Sequence, residues 1–158
     1  MTRARFSLDE MLGSLAKWLR IMGYDALYQR DLGDGEILRR AEEQGRILLT
    51  RDKELATRAG EDGLYIKSDD VMEQLRQLAA DLDIRPDESL TRCTVCNGEL
   101  ETVGPSEVGE EVPEGALENN RWFFRCTRCG KVYWKGSHWK DIRAKMEEIG
   151  NSDRDHSR

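Results

Sequence analysis

The first ninety residues alternate short apolar runs with longer stretches in which apolar residues recur at the spacing of a helix. The short runs predict strands at residues 5–8, 26–28, 47–50 and 64–66. The longer stretches predict helices at residues 11–22, around 37–41, around 55–56 and at 71–82. Because strands that alternate with helices form parallel sheets with right-handed crossovers, this part of the chain is predicted to have an α/β fold.

The third run, Ile47-Leu48-Leu49-Thr50, is followed at once by Arg51 and Asp52. A short apolar run between polar neighbours is typical of a parallel strand that is covered on both faces. Open α/β sheets bind their ligands beyond the carboxyl ends of such strands. Asp52 is therefore the first candidate for a functional residue.

Acidic residues follow the other predicted strands as well. Asp9 follows the first strand, and Asp69 or Asp70 follows the fourth. Asp34, or alternatively Asp31, stands at the start of the helix after the second strand. Because the carboxyl ends of parallel strands lie at one edge of a sheet, these carboxylates can share one crevice. The structural alternative is that they cap helices, a common role of aspartate.

Several carboxylates in one crevice would repel each other, and a divalent cation removes that repulsion. Ligands that are only oxygen atoms suit Mg²⁺ or Mn²⁺. Such an ion can generate a hydroxide and stabilise the phosphate of a phosphodiester during hydrolysis. Thr50 is a candidate to position a water molecule or a carboxylate ligand. Substrate phosphates are predicted to bind Lys17, Arg20 and Arg51.

A phospho-acceptor receiver domain fits part of the same pattern. In that interpretation Asp9, Glu10 and Asp52 form the acidic site, and Ser68 supplies the hydroxyl after the fourth strand. Receivers also need a lysine at the end of a fifth strand, and the sequence after Leu82 predicts no such strand. The receiver is therefore the weakest alternative.

Two Cys-x-x-Cys pairs, Cys93/Cys96 and Cys126/Cys129, stand 29 residues apart, and a glycine closely follows each pair. Four cysteines in this arrangement predict a zinc ribbon. The Zn²⁺ is expected to be structural, because four thiolates leave no coordination position open. The acidic segment 99–118 accounts for the long separation of the pairs. Disulfides are the alternative, but nothing in the sequence indicates an oxidising compartment.

Charge is distributed unevenly along a chain whose net charge is −6. Residues 99–118 carry seven acidic and no basic side chains, whereas residues 119–145 carry eight basic side chains and one acidic side chain. A local cluster of this kind indicates a surface for a polyanion.

Within the basic segment, predicted strands at 122–125 and 131–135 interleave aromatic and cationic residues, a composition suited to stacking bases and neutralising phosphates. Strand alternation places Phe123 on one face and Trp122 and Phe124 on the other, so some aromatic residues are expected to form the core of the ribbon. The predicted nucleic-acid contacts in this segment are Arg125, Lys131, Tyr133, Trp134, Lys135 and His138.

With 38% hydrophobic and 35% charged residues, the 158-residue chain has the composition of a soluble globular protein. No apolar run approaches the roughly 20 residues of a membrane span, and the N-terminal residues lack the apolar region of a signal peptide. A cytoplasmic protein without membrane contact is expected. The predicted organisation is an α/β domain at 1–84, a linker at 85–92, a zinc ribbon at 93–149 and a disordered tail at 150–158.

Several motifs together resemble one known family. They are Asp-Glu-Met-Leu-Gly from residue 9, Ala-Lys-Trp-Leu-Arg from residue 16, Gly-Arg-Ile-Leu-Leu-Thr-Arg-Asp from residue 45, Arg-Cys-x-x-Cys-Asn-Gly from residue 92 and Tyr-Trp-x-Gly-Ser-His-Trp from residue 133. Over roughly residues 5–147, the chain resembles the RNase family named after the C-terminal region of the mutator-seven exonuclease. The resemblance implies a PIN-like α/β/α sandwich with a parallel sheet, followed by a small C-terminal zinc ribbon.

The resemblance also implies metal-dependent cleavage of single-stranded or structured RNA. In that family assignment Asp9, Asp34 and Asp52 hold Mg²⁺ or Mn²⁺, and Asp69 or Asp70 supplies the fourth acid. The chain is therefore predicted to be a metal-dependent ribonuclease whose zinc ribbon assists RNA binding. The alternative is a non-catalytic module that associates with RNA or the ribosome through the ribbon.

Overall fold

The structure is a computed structural model that describes residues 3–87 and 89–156, with side chains described for 3–87 and 89–149. Its strands and helices follow one another in the order β1 (Arg5–Leu8), α1 (Gly13–Ile21), β2 (Asp25–Tyr28), α2 (Asp34–Gln44), β3 (Ile47–Thr50), α3 (Lys53–Ala59), β4 (Gly63–Tyr65), α4 (Val71–Leu82), β5 (Leu100–Val103), α5 (Pro105–Val108), α6 (Glu114–Asn119), β6 (Phe123–Cys126), β7 (Val132–Tyr133) and α7 (Trp139–His156). Two 3-10 turns, Glu10–Leu12 and Gly60–Asp62, precede α1 and β4.

The first four strands form a parallel sheet in the order β2-β1-β3-β4. The chain leaves β1 for the edge strand β2 and then crosses back to β3 on the other side of β1. The direction of winding therefore reverses between β1 and β3, which makes the carboxyl ends of these two central strands the topological switch point of the sheet. The described sheet holds no fifth strand for the lysine of a receiver domain.

Helices cover both faces of this sheet because successive strand residues point to opposite sides. Leu49 is fully buried in the larger core cluster, which also contains residues of α1, α4 and α7. Leu48, its neighbour in β3, is fully buried on the other face with Ile37 of α2 and Leu55 of α3. The predicted α/β/α sandwich with a parallel sheet is confirmed.

The C-terminal part contains an antiparallel sheet in the order β5-β6-β7. Phe123 is fully buried in a small separate core with Val108 and Val112, whereas Phe124 packs against the larger core. The acidic segment 99–118, for which the sequence predicts no strand or helix, contains β5, α5 and part of α6. It folds because its few apolar residues cover Phe123 while its carboxylates face outward.

Helix α7 is the largest difference from the sequence prediction, which assigns its residues to the ribbon and to a disordered tail. Its Trp139, Met146 and Ile149 are buried in the larger core, and the helix packs on α4. Their spacing of seven and three residues is helical and is the signal that sequence reasoning missed. The backbone is helical into segment 150–158 as far as His156, and residues 157 and 158 lie outside the described residues.

Asp25 connects the parallel sheet to the first cysteine pair. Its carboxylate accepts hydrogen bonds from the Arg46 guanidinium and from the Asn97 side-chain amide, each at 2.7 Å. The carbonyl oxygen of the Asn97 side chain accepts from the backbone N–H of Ala26 in β2 at 3.0 Å. Burial opposes ionisation of Asp25, but the hydrogen bonds from Arg46 and Asn97 outweigh it and lower the pKa of the carboxyl to about 2.

We expect Asp25→Asn to lower the free energy of unfolding by about 2 kcal/mol near neutral pH, because it leaves the buried Arg46 guanidinium without its counter-charge. A depressed pKa in the folded state contributes stability that is complete above the ordinary value of 3.8 and is lost as the pH falls toward about 2. Denaturant titrations of both proteins should therefore converge between about pH 4 and pH 2. The exposed Asp83→Asn is the matched control, and equal stability of Asp25→Asn and wild type at neutral pH would contradict the assignment.

Candidate functional site

Asp9 and Asp52 lie at the topological switch point, just beyond the carboxyl ends of β1 and β3. The Thr50 hydroxyl joins them: it donates to Asp9 Oδ2 at 2.5 Å and accepts from the backbone N–H of Asp52 at 3.0 Å. Thr50 is fully buried at the end of β3, so its hydroxyl is held in one place by the sheet. This hydrogen-bonded unit is called the Asp9–Thr50–Asp52 unit below.

Both aspartates also cap the segments that follow them. Asp9 Oδ1 accepts from the backbone N–H of Met11, and Asp52 Oδ1 accepts from the backbone N–H of Leu55, at 3.2 and 3.1 Å. The structural alternative considered from sequence, that these acids cap helices, therefore describes part of their role. Capping leaves lone pairs on each carboxylate for a cation, because an ionised carboxylate accepts about four hydrogen bonds.

The structure gives the remaining predicted acids no hydrogen bond to this unit among the described residues. Asp34 is the exposed first residue of α2, and Asp31 is exposed with a φ of 59°. Asp70 caps α4 by accepting from the Glu73 backbone N–H at 3.0 Å, next to the exposed Asp69. Within residues 3–87 and 89–149, no three carboxylates come close enough together to hold one ion.

Arg51 extends along the same edge of the sheet toward the segment after β4. Its Nη2 donates to the Lys67 carbonyl at 3.4 Å, and its buried Nε has no hydrogen-bond acceptor among the described atoms. An unpaired buried N–H is costly, by about 1–3 kcal/mol. Arg51 therefore carries unused donor capacity beside Asp52.

The four cysteines form the one group of His, Cys, Asp or Glu side chains in the described residues that could hold a metal ion. Their sulfur atoms lie within 4.8 Å of one another, with Cys93 to Cys129 at 3.7 Å and Cys96 to Cys126 at 3.4 Å. A Zn–S distance of about 2.3 Å places sulfurs of a tetrahedral site about 3.8 Å apart. The donor set and its spacing therefore fit Zn²⁺.

The backbone around the cysteines is shaped for this cluster. A Cβ at Gly98 would lie 2.9 Å from the Cys126 sulfur, so the turn requires glycine there. The backbone N–H groups of Arg128 and Cys129 donate to the same sulfur at 3.3 and 3.4 Å. The Tyr133 hydroxyl lies 3.0 Å from the Cys93 sulfur, a contact that the sequence prediction did not include.

Proton affinities within the cluster differ from those of ordinary thiols. Burial opposes ionisation of Cys126, but hydrogen bonds from the backbone of Cys129 and Arg128 lower its pKa to about 6. Burial and the hydrogen bond to Cys126 raise the pKa of Cys96 to about 12. A cation that binds all four sulfurs must therefore displace the proton that Cys96 holds.

A groove lies between α1, the segment around Leu90 to Thr94, β7 and α7, and is called the α1–α7 groove below. Its volume is about 320 Å³. Five of the predicted nucleic-acid contacts line it, although they come from distant parts of the sequence. The residues around the groove are Lys17, Ile21, Leu90, Thr94, Lys131, Val132, Tyr133, Trp134, His138, Trp139 and Ile142.

Two predicted phosphate contacts serve the fold instead. Arg20 is 7% exposed, and its guanidinium donates to the carbonyls of Ala26 and Thr94, both at 2.9 Å. Arg125 donates to both carboxylate oxygens of Glu111, at 2.9 and 3.1 Å. Sequence reasoning could not separate these arginines from the others, because Thr94 lies 74 residues from Arg20 and Glu111 lies 14 residues from Arg125.

The fold and these sites define a class of small α/β proteins with acidic residues at the sheet switch point and a C-terminal four-cysteine centre. The family model described as Mut7-C RNAse domain matches residues 4–146, and the chain belongs to this family. The resemblance found in the sequence is confirmed, and the family name indicates a nuclease-like role. No curated protein and no solved structure matches the chain. In the described part of the chain, no helix is long and apolar enough to cross a membrane.

Proposed function

We propose that the protein is a Mg²⁺- or Mn²⁺-dependent ribonuclease that hydrolyses RNA phosphodiester bonds and uses its zinc ribbon to engage the RNA. The Asp9–Thr50–Asp52 unit carries this proposal, because Thr50 links the Asp9 carboxylate to the backbone of Asp52 at the switch point where α/β sheets bind ligands. Membership of a family described as an RNase domain supports the choice of RNA as substrate.

Two carboxylates suit the proposed ion. Mg²⁺ typically binds one or two protein carboxylates and completes its octahedron with water and substrate phosphate oxygens. Asp9 and Asp52 would hold it, and Asp34 with Asp69 or Asp70 are the further acids that the family resemblance implies. The bound ion would supply a hydroxide at neutral pH and stabilise charge that develops on the phosphate.

The surrounding residues of the chain have separate tasks in this proposal. Thr50 fixes the orientation of the Asp9 carboxylate and the start of the segment that carries Asp52. Arg51, a partly buried cation next to Asp52, would donate to a substrate phosphate through its guanidinium. Lys17, on the exposed face of α1, would neutralise a neighbouring phosphate of the same strand.

The competing proposal is a non-catalytic RNA-binding module. It is favoured by one observation: no third acid joins Asp9 and Asp52 closely enough to complete an ion site within the described residues. In that case the α1–α7 groove and the basic ribbon carry the function alone, and binding is sensitive to salt without cleavage.

The test is cleavage of a pool of labelled RNAs by protein that keeps its zinc, is freed of other divalent cations by dialysis and is then supplied with Mg²⁺, Mn²⁺ or Ca²⁺. We expect no cleavage without metal, cleavage with Mg²⁺ or Mn²⁺ and little with Ca²⁺, because Ca²⁺ prefers more ligands and longer bonds. Zinc content is measured in every sample, to verify that the four-cysteine centre has kept its zinc. RNA binding without cleavage under every divalent metal would support the binding module instead.

A further inference from the structure

We infer that the α1–α7 groove is a subsite for one unpaired nucleotide, with the base between aromatic side chains and the flanking phosphates on lysines. This inference rests on the proposed function and adds the form of RNA that the protein accepts. It assigns the groove to single-stranded RNA, whereas the family resemblance leaves single-stranded and structured RNA open.

The shape of the groove fits a flat, mostly apolar group. Ile21, Leu90 and Trp139 are at most 7% exposed and form its apolar lining, while Tyr133 and Trp134 present half-buried rings. The volume of about 320 Å³ lies at the lower end of the range of small-molecule pockets. Aromatic rings in such a groove bind bases of any sequence, because every base has a π face.

The charge around the groove fits phosphates on either side of that base. The protein carries a net charge of −6, yet no acidic side chain lines the groove among the residues that the structure describes. Lys17, Lys131 and His138 are exposed at its rim. The Lys131 ammonium lies 5.2 Å from the centre of the Tyr133 ring, so cation and aromatic surface are presented together. A purely apolar ligand would gain nothing from this rim.

The groove is lined by α1, the helix that follows Asp9 in the chain. Lys17 and Ile21 stand one turn apart on the same face of α1. Lys17 lies about 6 Å along the helix axis from Gly13, and the 3-10 turn that begins after Asp9 leads directly into that end of the helix. A strand held in the groove can therefore continue along α1 toward Asp9. A base that occupies the groove cannot be paired in a duplex.

The experiment measures affinity in the Asp52→Asn background, so that the RNA stays intact. The probes are a fluorescein-labelled single-stranded RNA without self-complementarity and a blunt RNA duplex of the same sequence. Trp134→Leu keeps apolar contact with Phe123, whose ring centre lies 6.3 Å from that of Trp134, but removes the stacking surface. We expect it to weaken binding of the single strand by about tenfold and to leave binding of the duplex unchanged.

Lys17→Ala and Lys131→Ala are the second pair of variants, and both positions are exposed, so the fold is not at risk. Each should reduce the slope of log affinity against log salt by about 0.7 for the single strand. Arg58→Ala is the matched control, because Arg58 is exposed on α3 on the opposite face of the sheet. It should leave affinity for the single strand unchanged.

Affinities for the single strand that are unchanged in all three groove variants would overturn the inference. Equal losses for single strand and duplex would also overturn it, because they would show general electrostatic binding. Failure of the proposed function gives a different result. Wild-type protein would then cleave no RNA with any metal, while Trp134→Leu would still weaken binding of the single strand and leave binding of the duplex unchanged. If wild-type protein cleaves RNA and the groove variants bind it as wild type does, the groove is not a nucleotide subsite, but the proposed ribonuclease function stands.

Discussion

Asp52→Asn is expected to reduce Mg²⁺-dependent RNA cleavage by about a hundredfold or more, while the protein stays folded. Asparagine is as good a helix cap as aspartate, and its side-chain oxygen can still accept from the Leu55 backbone N–H. The substitution therefore removes the negative charge that would hold the cation and keeps the start of α3. Asp9→Asn should have the same effect, because it also removes a carboxylate charge, although its single side-chain oxygen can replace only one of the two oxygens that accept from Thr50 and Met11.

The measurement is single-turnover cleavage of labelled RNA at several Mg²⁺ concentrations, with the melting temperature of each variant recorded beside it. Asp83→Asn is the control for loss of one carboxylate, because Asp83 is exposed at the end of α4 and adopts a φ of 53° that asparagine tolerates. Cleavage by Asp52→Asn at the wild-type rate would show that Asp52 does not hold the catalytic ion and only caps α3.

Substitutions of Thr50 test whether its hydroxyl aligns the acids, because Thr50 itself is not proposed to bind the ion. Thr50→Val keeps the buried shape and removes the hydroxyl that joins Asp9 to the Asp52 backbone. Loss of such a supporting hydrogen bond typically costs about 10–100-fold in metal affinity or activity, so more Mg²⁺ should be needed for half-maximal cleavage. Thr50→Ser keeps the hydroxyl and should behave like wild type. Equal Mg²⁺ requirements in the two variants would show that the hydroxyl aligns nothing.

The first half of the fold was predictable because its signals are local. Strands β1 and β3 have the bounds that the apolar runs predict, and Gly45 ends α2 in a left-handed conformation with a φ of 63°. The placement of Asp9 and Asp52 at one edge followed from the alternation of strands and helices alone. The cysteine spacing likewise predicted a cluster that the structure contains.

The rest of the fold and of the site depends on contacts between residues that are distant in the sequence, and no local pattern predicts such contacts. Ile21 and Ile142 stand on opposite walls of one groove, and no local pattern places them together. Arg20 and Lys17 belong to the same helix and carry the same charge, yet one is buried and the other is exposed. The convergence of a third acid on Asp9 was an expectation from topology, but topology sets the edge of the sheet and not the distance between side chains there.

Loss of zinc is expected to destabilise the whole chain and not only the ribbon. The first cysteine pair is attached to the parallel sheet by Arg20, which donates to the Thr94 and Val95 carbonyls at 2.9 and 3.4 Å. It is attached a second time by Asn97, which bonds both Asp25 and the backbone of Ala26. Because structural zinc supplies folding free energy directly, its removal should release both attachments.

Elemental analysis of reduced protein should find one zinc per chain, and absence of zinc would remove the assignment of the cysteines as its ligands. Thermal unfolding is then followed by the circular dichroism of the helices, with and without a high-affinity zinc chelator. If bound zinc adds about 5 kcal/mol to the free energy of unfolding of the parallel sheet, its removal should lower the melting temperature by about 10–20 °C. An independent ribbon predicts instead that the main transition of the helices stays where it is.

Asn97→Gly tests whether the attachment itself transmits this effect. Glycine suits the φ of 68° at this position, so the variant removes only the side chain that bonds Asp25 and Ala26. We expect it to retain zinc and to melt at a lower temperature than wild type, with a smaller further loss when zinc is removed. Such non-additivity is the signature of two changes that act through one contact. Fully additive losses would show that zinc stabilises the sheet through Arg20 or not at all.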